Sequence, residues 1–383
     1  MHPPLGREEL VAACRVPGTA GLRPHAAQSL RGLRAAFLSW YRAPRPPCGW
    51  GRAASLIVLA LDGVSFEAAE AAWSPDLLAP LTSTFPSVSS SAWLTSTTGL
   101  PVEDHLVPGV VYYLPEAGEM VDCYAGESGA AGSPLRTVFD DLSELGVDCV
   151  ACAGEMATWP AWLREAILSG ARAAPSRVAW DALRFDPAGM AEAVIGEIES
   201  ALRARRRDRP LFLWAFVNLD EHIHLHGYDR LVVEALREIE AAARRWVGQG
   251  HAVAAYSDHG LVENRPSPAA AARWESIVRS GLCRLPPGGA GRVLWLYPRP
   301  GREDELLART AGDLGHCALV LRSAELAGLG LVGWNGRLGA RLGEVCLLAT
   351  GGDFPAPQAP ESRFEHGSFT AGEMLAVLAA WSS

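Results

Sequence analysis

The sequence predicts an α/β protein in which helices cover both faces of a largely parallel central sheet. Continuous apolar runs recur along the chain, each short enough for a strand and apolar enough to be buried on both faces. Segments with helical periodicity lie between these runs, as in folds that alternate strands with helices. The predicted strands are residues 55–61, 147–153, 211–217, 251–256, 293–297 and 345–349.

The first 53 residues are an extension rich in arginine and proline, and the main domain spans residues 54–383. Within the extension, residues 27–41 place their apolar side chains at helical spacing. They predict an accessory helix that packs on the main domain. A basic segment that meets a partner or an anionic surface is the alternative. Residues 42–47 form the most linker-like part of the chain.

Within the main domain, residues 190–206 and 231–247 have clear helical patterns, and Gly248 ends the second helix. Ligands of open α/β sheets bind at the carboxyl ends of the strands. The polar residues that end the apolar runs are therefore candidates for a functional site. These residues are Asp62, Asp220, Asp258 and His259.

The composition excludes several classes of function. A formal net charge of −9 argues against a protein that binds nucleic-acid polymers, which usually carries a basic surface. The chain contains no lysine, so mechanisms that need a Schiff-base or P-loop lysine are excluded. Its eight cysteines lack the spacing of a disulfide framework. Cys149 and Cys152 lie in a predicted strand, which favours two core thiols over a redox or metal pair.

The sequence contains neither a secretory signal nor an apolar run of the roughly 18–20 residues that cross a bilayer. We therefore expect a cytoplasmic protein without a transmembrane segment. Nothing in the sequence indicates its oligomeric state.

Carboxylates and imidazoles at the strand ends predict a metal site. Asp220 and His224 are four residues apart, so one helical turn places both on the same face. Asp258 and His259 directly follow a predicted strand, and His366 lies beside a glycine near the end of the chain. This donor set suits zinc best, with manganese and iron as the alternatives. Singly, each motif also fits a helix cap or a turn.

Residues 83–100 form another candidate functional segment, in which a loop with a proline leads into a helix start rich in serine and threonine. A hydroxyl at that position lies at a helix N-terminus, whose free N–H groups favour an alkoxide or a phosphate. A serine-rich capping loop without chemistry is the other interpretation.

The order of these motifs resembles the type I phosphodiesterase and nucleotide pyrophosphatase branch of the alkaline phosphatase superfamily. The family pattern opens with a strand that ends in D-G, followed by a nucleophile within F-P-x-x-[ST], nine residues before T-G-L. D-x-x-x-H, D-H-G, and H-G ahead of E-M come next. In this chain the motifs are Asp62-Gly63, Phe85-Pro86-Ser87-Val88-Ser89, Thr98-Gly99-Leu100, Asp220 with His224, Asp258-His259-Gly260, His366-Gly367 and Glu373-Met374. The resemblance covers residue 55 to the end of the chain.

This resemblance implies an alkaline-phosphatase-like sandwich and a hydrolase of phosphate esters or phosphoanhydrides that contains two zinc ions. Ser89 would be the nucleophile and would form a phosphoserine intermediate. The ligands of one ion would be Asp62, Asp258 and His259, together with the Ser89 oxygen. The ligands of the other would be Asp220, His224 and His366. Water activated at that second ion would hydrolyse the intermediate, and the partner would be a small phosphorylated substrate.

The chain departs from the family pattern at three places. Serine replaces the usual threonine nucleophile, which is tolerable because only the hydroxyl reacts. The usual H-G after T-G-L is His105-Leu106 here. Residues 107–110 lack the asparagine that binds phosphate in members that cleave nucleotides, so a backbone N–H at Ser89 or Ser90 is the remaining candidate donor.

Three other functions stay open on the same scaffold. They are a phosphomonoesterase, a phosphonate hydrolase and a catalytically inactive binding protein. A sulfatase lacks support because its C/S-x-P-x-R segment is not present, and a mutase because no inserted domain fits between Ser89 and Asp220.

Overall fold

The computed structural model describes residues 4–42, 55–126, 135–355 and 361–382. Most of the linker-like stretch predicted at residues 42–47 therefore lies outside the described residues. The boundary between the extension and the main domain stays a prediction.

Helices and strands alternate along the described chain. The helices are α1 (Arg7–Cys14), α2 (Leu33–Arg42), α3 (Phe66–Ala72), α4 (Ser89–Thr98), α5 (Val102–His105), α6 (Val138–Glu144), α7 (Ala161–Leu168), α8 (Trp180–Leu183), α9 (Pro187–Arg203), α10 (Asp220–His226), α11 (Arg230–Gly248), α12 (Pro268–Val278), α13 (Glu303–Leu314), α14 (Gly336–Arg341) and α15 (Ala371–Met374). The strands are β1 (Ser55–Asp62), β2 (Leu77–Thr82), β3 (Val111–Leu114), β4 (Glu119–Asp122), β5 (Asp148–Cys152), β6 (Arg172–Ala173), β7 (Leu211–Asn218), β8 (Ala252–Ser257), β9 (Val262–Glu263), β10 (Gly288–Ala290), β11 (Val293–Leu296), β12 (Ala318–Arg322), β13 (Val345–Ala349), β14 (Phe364–Glu365) and β15 (Leu375–Trp381).

A seven-stranded sheet with the order β2-β15-β8-β1-β7-β5-β6 forms the centre of the molecule. The strands from β8 to β6 are parallel, and β15 pairs antiparallel with both β8 and β2. Side chains of β1 alternate between two core clusters, one packed under α9 and α11 and the other under α2 and α6. The predicted parallel sheet with helices on both faces is thus confirmed.

Two of the predicted strands belong to a different sheet. The runs at 293–297 and 345–349 become β11 and β13 of a six-stranded sheet with the order β12-β13-β11-β10-β3-β4. Every pairing in that sheet is antiparallel. Both strands are buried on both faces, as are those of the central sheet, so the apolar pattern alone cannot separate the two sheets.

The N-terminal segment packs on this core. The predicted accessory helix forms as α2, and its Leu33, Phe37 and Trp40 are buried in the cluster on one face of the central sheet. Cys149 and Cys152 point to opposite faces of β5, into separate clusters, as expected of two core thiols. Among the described residues, no helix combines the length and apolarity needed to cross a membrane.

Candidate metal centre

Six of the predicted ligand residues come together in two groups of three. Within each group, the ligand atoms lie within 4.8 Å of one another. One group is Asp62, Asp258 and His259, and the other is Asp220, His224 and His366. The grouping equals the division that the family resemblance implies.

The register of the central sheet assembles the first group. Leu61 of β1 pairs with Ser257 of β8, so Asp62 and Asp258 follow side by side at the carboxyl edge of the sheet. Asp258 Oδ1 accepts hydrogen bonds from the backbone N–H groups of Gly63 (3.1 Å) and His259 (2.9 Å). His259 Nε2 lies 3.2 Å from Asp258 Oδ2. The two backbone bonds fix the carboxylate and leave its other oxygen facing the imidazole.

The second group starts where β7 runs into α10. Asn218, the last residue of β7, accepts a hydrogen bond from the Asp220 N–H (3.0 Å), which begins the helix. One turn later, His224 Nε2 lies 3.1 Å from Asp220 Oδ2. The helix separates His224 from His222 and His226, whose rings contact each other on another face. The three histidines therefore do not share one face.

Backbone carbonyls orient two of the histidines. His224 Nδ1 lies 2.7 Å from the Phe364 carbonyl, and His366 Nδ1 lies 2.8 Å from the Ser87 carbonyl. Because a carbonyl can only accept, each Nδ1 carries a proton, so Nε2 is the atom that binds a ligand when the imidazole is neutral. Metal-binding histidines have this arrangement.

A buried ion pair holds the loop that carries His366. Arg292 Nε donates to Glu373 Oε1 at 3.0 Å, and both side chains are at most 1% exposed. The Arg292 N–H also donates to the His366 carbonyl (2.8 Å), while Glu373 accepts from the Ser368 N–H (2.8 Å). Arg292 and Glu373, the latter part of the Glu373-Met374 motif, therefore act on the site by fixing the backbone around His366.

The glycine of Asp62-Gly63 allows the two groups to approach each other. Gly63 has φ +76°, and a β-carbon there would lie 2.7 Å from Asp220 Oδ1. The rings of His259 and His366 stack across the groups with centroids 3.8 Å apart. No other residue type allows this backbone conformation together with so close a neighbour.

Ser89 is the first residue of α4 and is buried between the strand ends. Its Oγ donates to Asp62 Oδ1 at 3.1 Å and lies 3.1 Å from His259 Nε2. The hydroxyl therefore faces the first group of ligands and the free N–H groups of a helix N-terminus at once.

The charges of this centre are poorly compensated by the protein alone. Burial, with Asp258 and Asp220 nearby, raises the pKa of Asp62 well above its ordinary value. Burial likewise raises the pKa of Asp258 to about 8 and, with the neighbouring His366, lowers the pKa of His259 well below its usual range. Although burial opposes it, contact with Asp220 raises the pKa of His224 to about 10.

Several buried side-chain atoms of these ligand residues also lack a well-aligned hydrogen bond among the described residues. They are Asp220 Oδ1, His224 Nε2, Asp258 Oδ2 and His259 Nδ1. Buried carboxylates and unpartnered donor atoms are costly without a cation. The donor set of three carboxylates and three imidazoles fits two zinc or manganese ions.

A cleft of about 540 Å³ opens onto Ser89, Asp62, Asp220 and His366. The sequence analysis did not identify the other side chains of its wall. They include Asp122, Tyr124, Glu155, Trp159, Asp181, Arg184 and Glu221, together with the glycine-rich stretch at residues 288–291. Asn218, at the end of the predicted strand β7, is a polar residue that ends a strand, and this pattern could have identified it. Asp122 ends β4, a strand that no apolar run predicted. The others lie in helices, in β10 or on connections, and none of them occupies a position of the motifs.

The departure at His105-Leu106 is structural. His105 is buried, where its Nε2 lies 3.1 Å from Thr95 Oγ1 and its Nδ1 accepts from the Val107 N–H. Burial and the neighbouring Arg341 lower the pKa of His105 to about 3. Leu106 occupies the left-handed conformation (φ +64°) that the family glycine favours.

Comparisons with known proteins agree with the motif order. The family model described as type I phosphodiesterase / nucleotide pyrophosphatase matches residues 56–324. No curated protein matches the sequence significantly.

Similar solved structures include mouse ectonucleotide pyrophosphatase/phosphodiesterase 5, at 14% identity and a TM-score of 0.64, with 86% of this chain and 88% of that chain covered. Phosphonoacetate hydrolase from Sinorhizobium meliloti 1021, in complex with phosphonoformate, matches at 16% identity and a TM-score of 0.59, with 88% and 92% covered. The human form of the first protein matches at 12% identity and a TM-score of 0.58, with 85% and 87% covered. These likenesses confirm the alkaline-phosphatase-like fold.

Proposed function

The chain belongs to the type I phosphodiesterase / nucleotide pyrophosphatase family, and from that premise we propose that it hydrolyses phosphate diesters through a covalent intermediate on Ser89. The position of Ser89 carries the proposal. Its Oγ lies 3.1 Å from one ligand atom of Asp62 and 3.1 Å from one of His259, at the start of a buried helix. A serine that only caps a helix does not need to contact two predicted metal ligands from separate segments of the chain.

The reaction would proceed in two displacements at phosphorus. Ser89 Oγ forms a bond to phosphorus while the bond to the leaving oxygen breaks, and the hydroxyl proton leaves with the released alcohol. Water then attacks the same phosphorus and releases Ser89 Oγ together with a phosphomonoester. Two metal ions bound by the six ligands would lower the pKa of the attacking hydroxyl and neutralise the charge on the phosphoryl oxygens.

Residues of the protein contribute to this reaction in three ways. Asp62 and His259 hold the Ser89 hydroxyl at the carboxyl edge of the sheet. The N-terminus of α4 directs free N–H groups at the oxyanion. Arg292 and Glu373 hold the loop of His366.

The charge of the cleft wall favours a diester over more highly charged substrates. Asp122, Glu155, Asp181 and Glu221 line it, and Arg184 is the one arginine among its described residues. Arg184 already lies against Glu155 (3.5 Å) and Glu221. Because the wall is net negative, it repels a second anionic group more than it repels the single charge of a diester.

A phosphonate hydrolase is the second candidate, since a phosphonoacetate hydrolase shares the fold. Phosphonoacetate carries a carboxylate beside its phosphonate, and a carboxylate needs a cationic partner. The arginine that could supply it is engaged by two glutamates. We therefore rank diesters first.

The test compares bis-p-nitrophenyl phosphate, p-nitrophenyl phosphate and phosphonoacetate, before and after chelation, alongside metal analysis of the purified protein. We expect about two metal ions per chain, loss of turnover on chelation and the fastest turnover with the diester. Ser89→Ala should retain the metals and lose turnover. A protein with no bound metal and no turnover of any substrate would instead be a binding protein on a hydrolase fold.

A further inference from the structure

Tyr124 presents a phenol in the cleft that contains Ser89 and Asp62. Among the described residues, no hydrogen bond is made by its hydroxyl, although the side chain is only partly exposed. Because the hydroxyl has no protein partner among these residues and the side chain lines the cleft, its O–H is available to a substrate.

Contacts to the ring and to the flanking backbone hold Tyr124 in place. It packs edge-on against Trp159, with ring centroids 5.0 Å apart and an interplanar angle of 75°. The backbone N–H of Tyr124 donates to Asp122 Oδ1 at 2.8 Å, directly after β4. Trp162 Nε1 donates to the Gly126 carbonyl at 3.2 Å, which holds the backbone that follows. A donor fixed in this way need not be ordered when the substrate arrives.

The electrostatic surroundings keep the phenol protonated. Burial raises the pKa of Tyr124 well above its ordinary value, and the carboxylates of Asp62, Asp258 and Asp220 raise it further. Burial therefore favours the protonated phenol, which can donate a hydrogen bond.

We propose that Tyr124 is a catalytic residue whose O–H donates a hydrogen bond to a non-bridging oxygen of the phosphoryl group attacked by Ser89 Oγ. The inference rests on the proposed function. It adds a side-chain donor to the backbone N–H groups at the start of α4. A hydrogen bond to an anionic oxygen is stronger than a neutral one, and it strengthens as the geometry at phosphorus becomes trigonal bipyramidal.

Tyr124→Phe tests the proposal because it removes only the hydroxyl and keeps the ring against Trp159. The matched control is Tyr113→Phe, in β3 of the preceding β3–β4 hairpin and not among the residues that line the cleft. With the metal-loaded protein, we expect Tyr124→Phe to lower kcat/KM by about 10–100-fold, mainly through kcat. Metal content and thermal stability should stay at wild-type values, and the control should retain full activity.

The loss of kcat/KM in Tyr124→Phe, measured with esters of different leaving groups, distinguishes this role from that of a general acid. A donor to a non-bridging oxygen should cost the same factor with a p-nitrophenol and with a phenol leaving group. If the loss grows with the poorer leaving group, Tyr124 protonates the leaving oxygen and the proposal is overturned. Activity within about twofold of wild type would also overturn it.

Binding of inorganic vanadate, which adopts a five-coordinate geometry, gives a readout that does not need turnover. Tyr124→Phe should weaken vanadate binding about tenfold or more and phosphate binding much less. Equal vanadate affinities for wild type and variant would refute the inference, whatever the ester kinetics show. Failure of the proposed function is a different result, namely a metal-loaded wild-type protein that turns over no ester.

Discussion

Replacing Asp258 by asparagine should make the metal-free protein more stable while removing a metal ligand. Asp258 is fully buried, and burial, with Asp220 nearby, raises its pKa from the usual 3.8 to about 8. A carboxyl group with a raised folded-state pKa binds its proton more tightly in the folded protein. Its ionisation therefore opposes folding, and stability falls as the pH rises from about 4 to about 8.

The magnitude follows from that shift. At about 1.4 kcal/mol per pKa unit, the ionised carboxylate costs the metal-free protein about 4 kcal/mol near pH 7. Asparagine keeps Oδ1, which accepts from the N–H groups of Gly63 and His259. Its new amide lies where Asp258 Oδ2 is 3.2 Å from His259 Nε2, and an imperfect bond there costs about 1–3 kcal/mol. The net expected gain is about 2 kcal/mol.

Urea unfolding after chelation, followed by tryptophan fluorescence near pH 6 and pH 8, measures this gain. The wild-type protein should lose stability between these pH values, and Asp258→Asn should lose less. Asp148→Asn is the control, because that aspartate pairs with Arg172 (3.2 Å) and should give no gain. If Asp258→Asn destabilises the chelated protein as much as an ordinary core substitution does, the carboxylate is a structural residue and our account of the centre is wrong.

Three further results are expected. Glu373→Gln should lower the free energy of unfolding by about 3–5 kcal/mol, because it leaves the charge of Arg292 buried without its carboxylate. Urea unfolding measures that loss, and one below about 1 kcal/mol would show that the pair is not structurally important. Gly63→Ala should weaken metal binding about tenfold or more in a chelator competition, because the new β-carbon would clash with Asp220. The control is Gly118→Ala, which has a similar positive φ but lies in open space and should bind metal normally. In substrate competition, p-nitrophenyl phosphorylcholine should be preferred over bis-p-nitrophenyl phosphate, because its cationic choline group is attracted by the acidic wall of the cleft. The monoester, which carries a second negative charge, should come last. The reverse order would contradict the assigned charge of the cleft wall.

The parallel core of the fold was predictable because its signal is local. Runs such as 55–61 and 211–217 are apolar throughout, and such runs are typical of strands covered on both faces. The second sheet was not predictable, because β11 and β13 have the same composition and differ only in their partners. Strand partners depend on packing between distant segments, which a single sequence does not display.

The ligands were predictable to different degrees. Asp62 ends β1, and Asp258 and Asp220 follow the ends of β8 and β7 within two residues. The geometry of a parallel sheet therefore brings them together. His366 has no strand before it in the central sheet, and only the order of the family motifs indicated it. Tyr124 reaches the cleft on a connection after β4, where no pattern distinguishes a wall residue from a surface residue.

A covalent adduct on Ser89 tests the central claim most directly. Metal-loaded protein would be mixed with bis-p-nitrophenyl phosphate, quenched with acid within the first turnover and mapped by peptide mass spectrometry. The account predicts a p-nitrophenyl phosphoryl group on Ser89, formed as the first p-nitrophenol is released and lost in later turnovers. Release of p-nitrophenol at the full rate by Ser89→Ala, with no adduct on the wild-type protein, would contradict it.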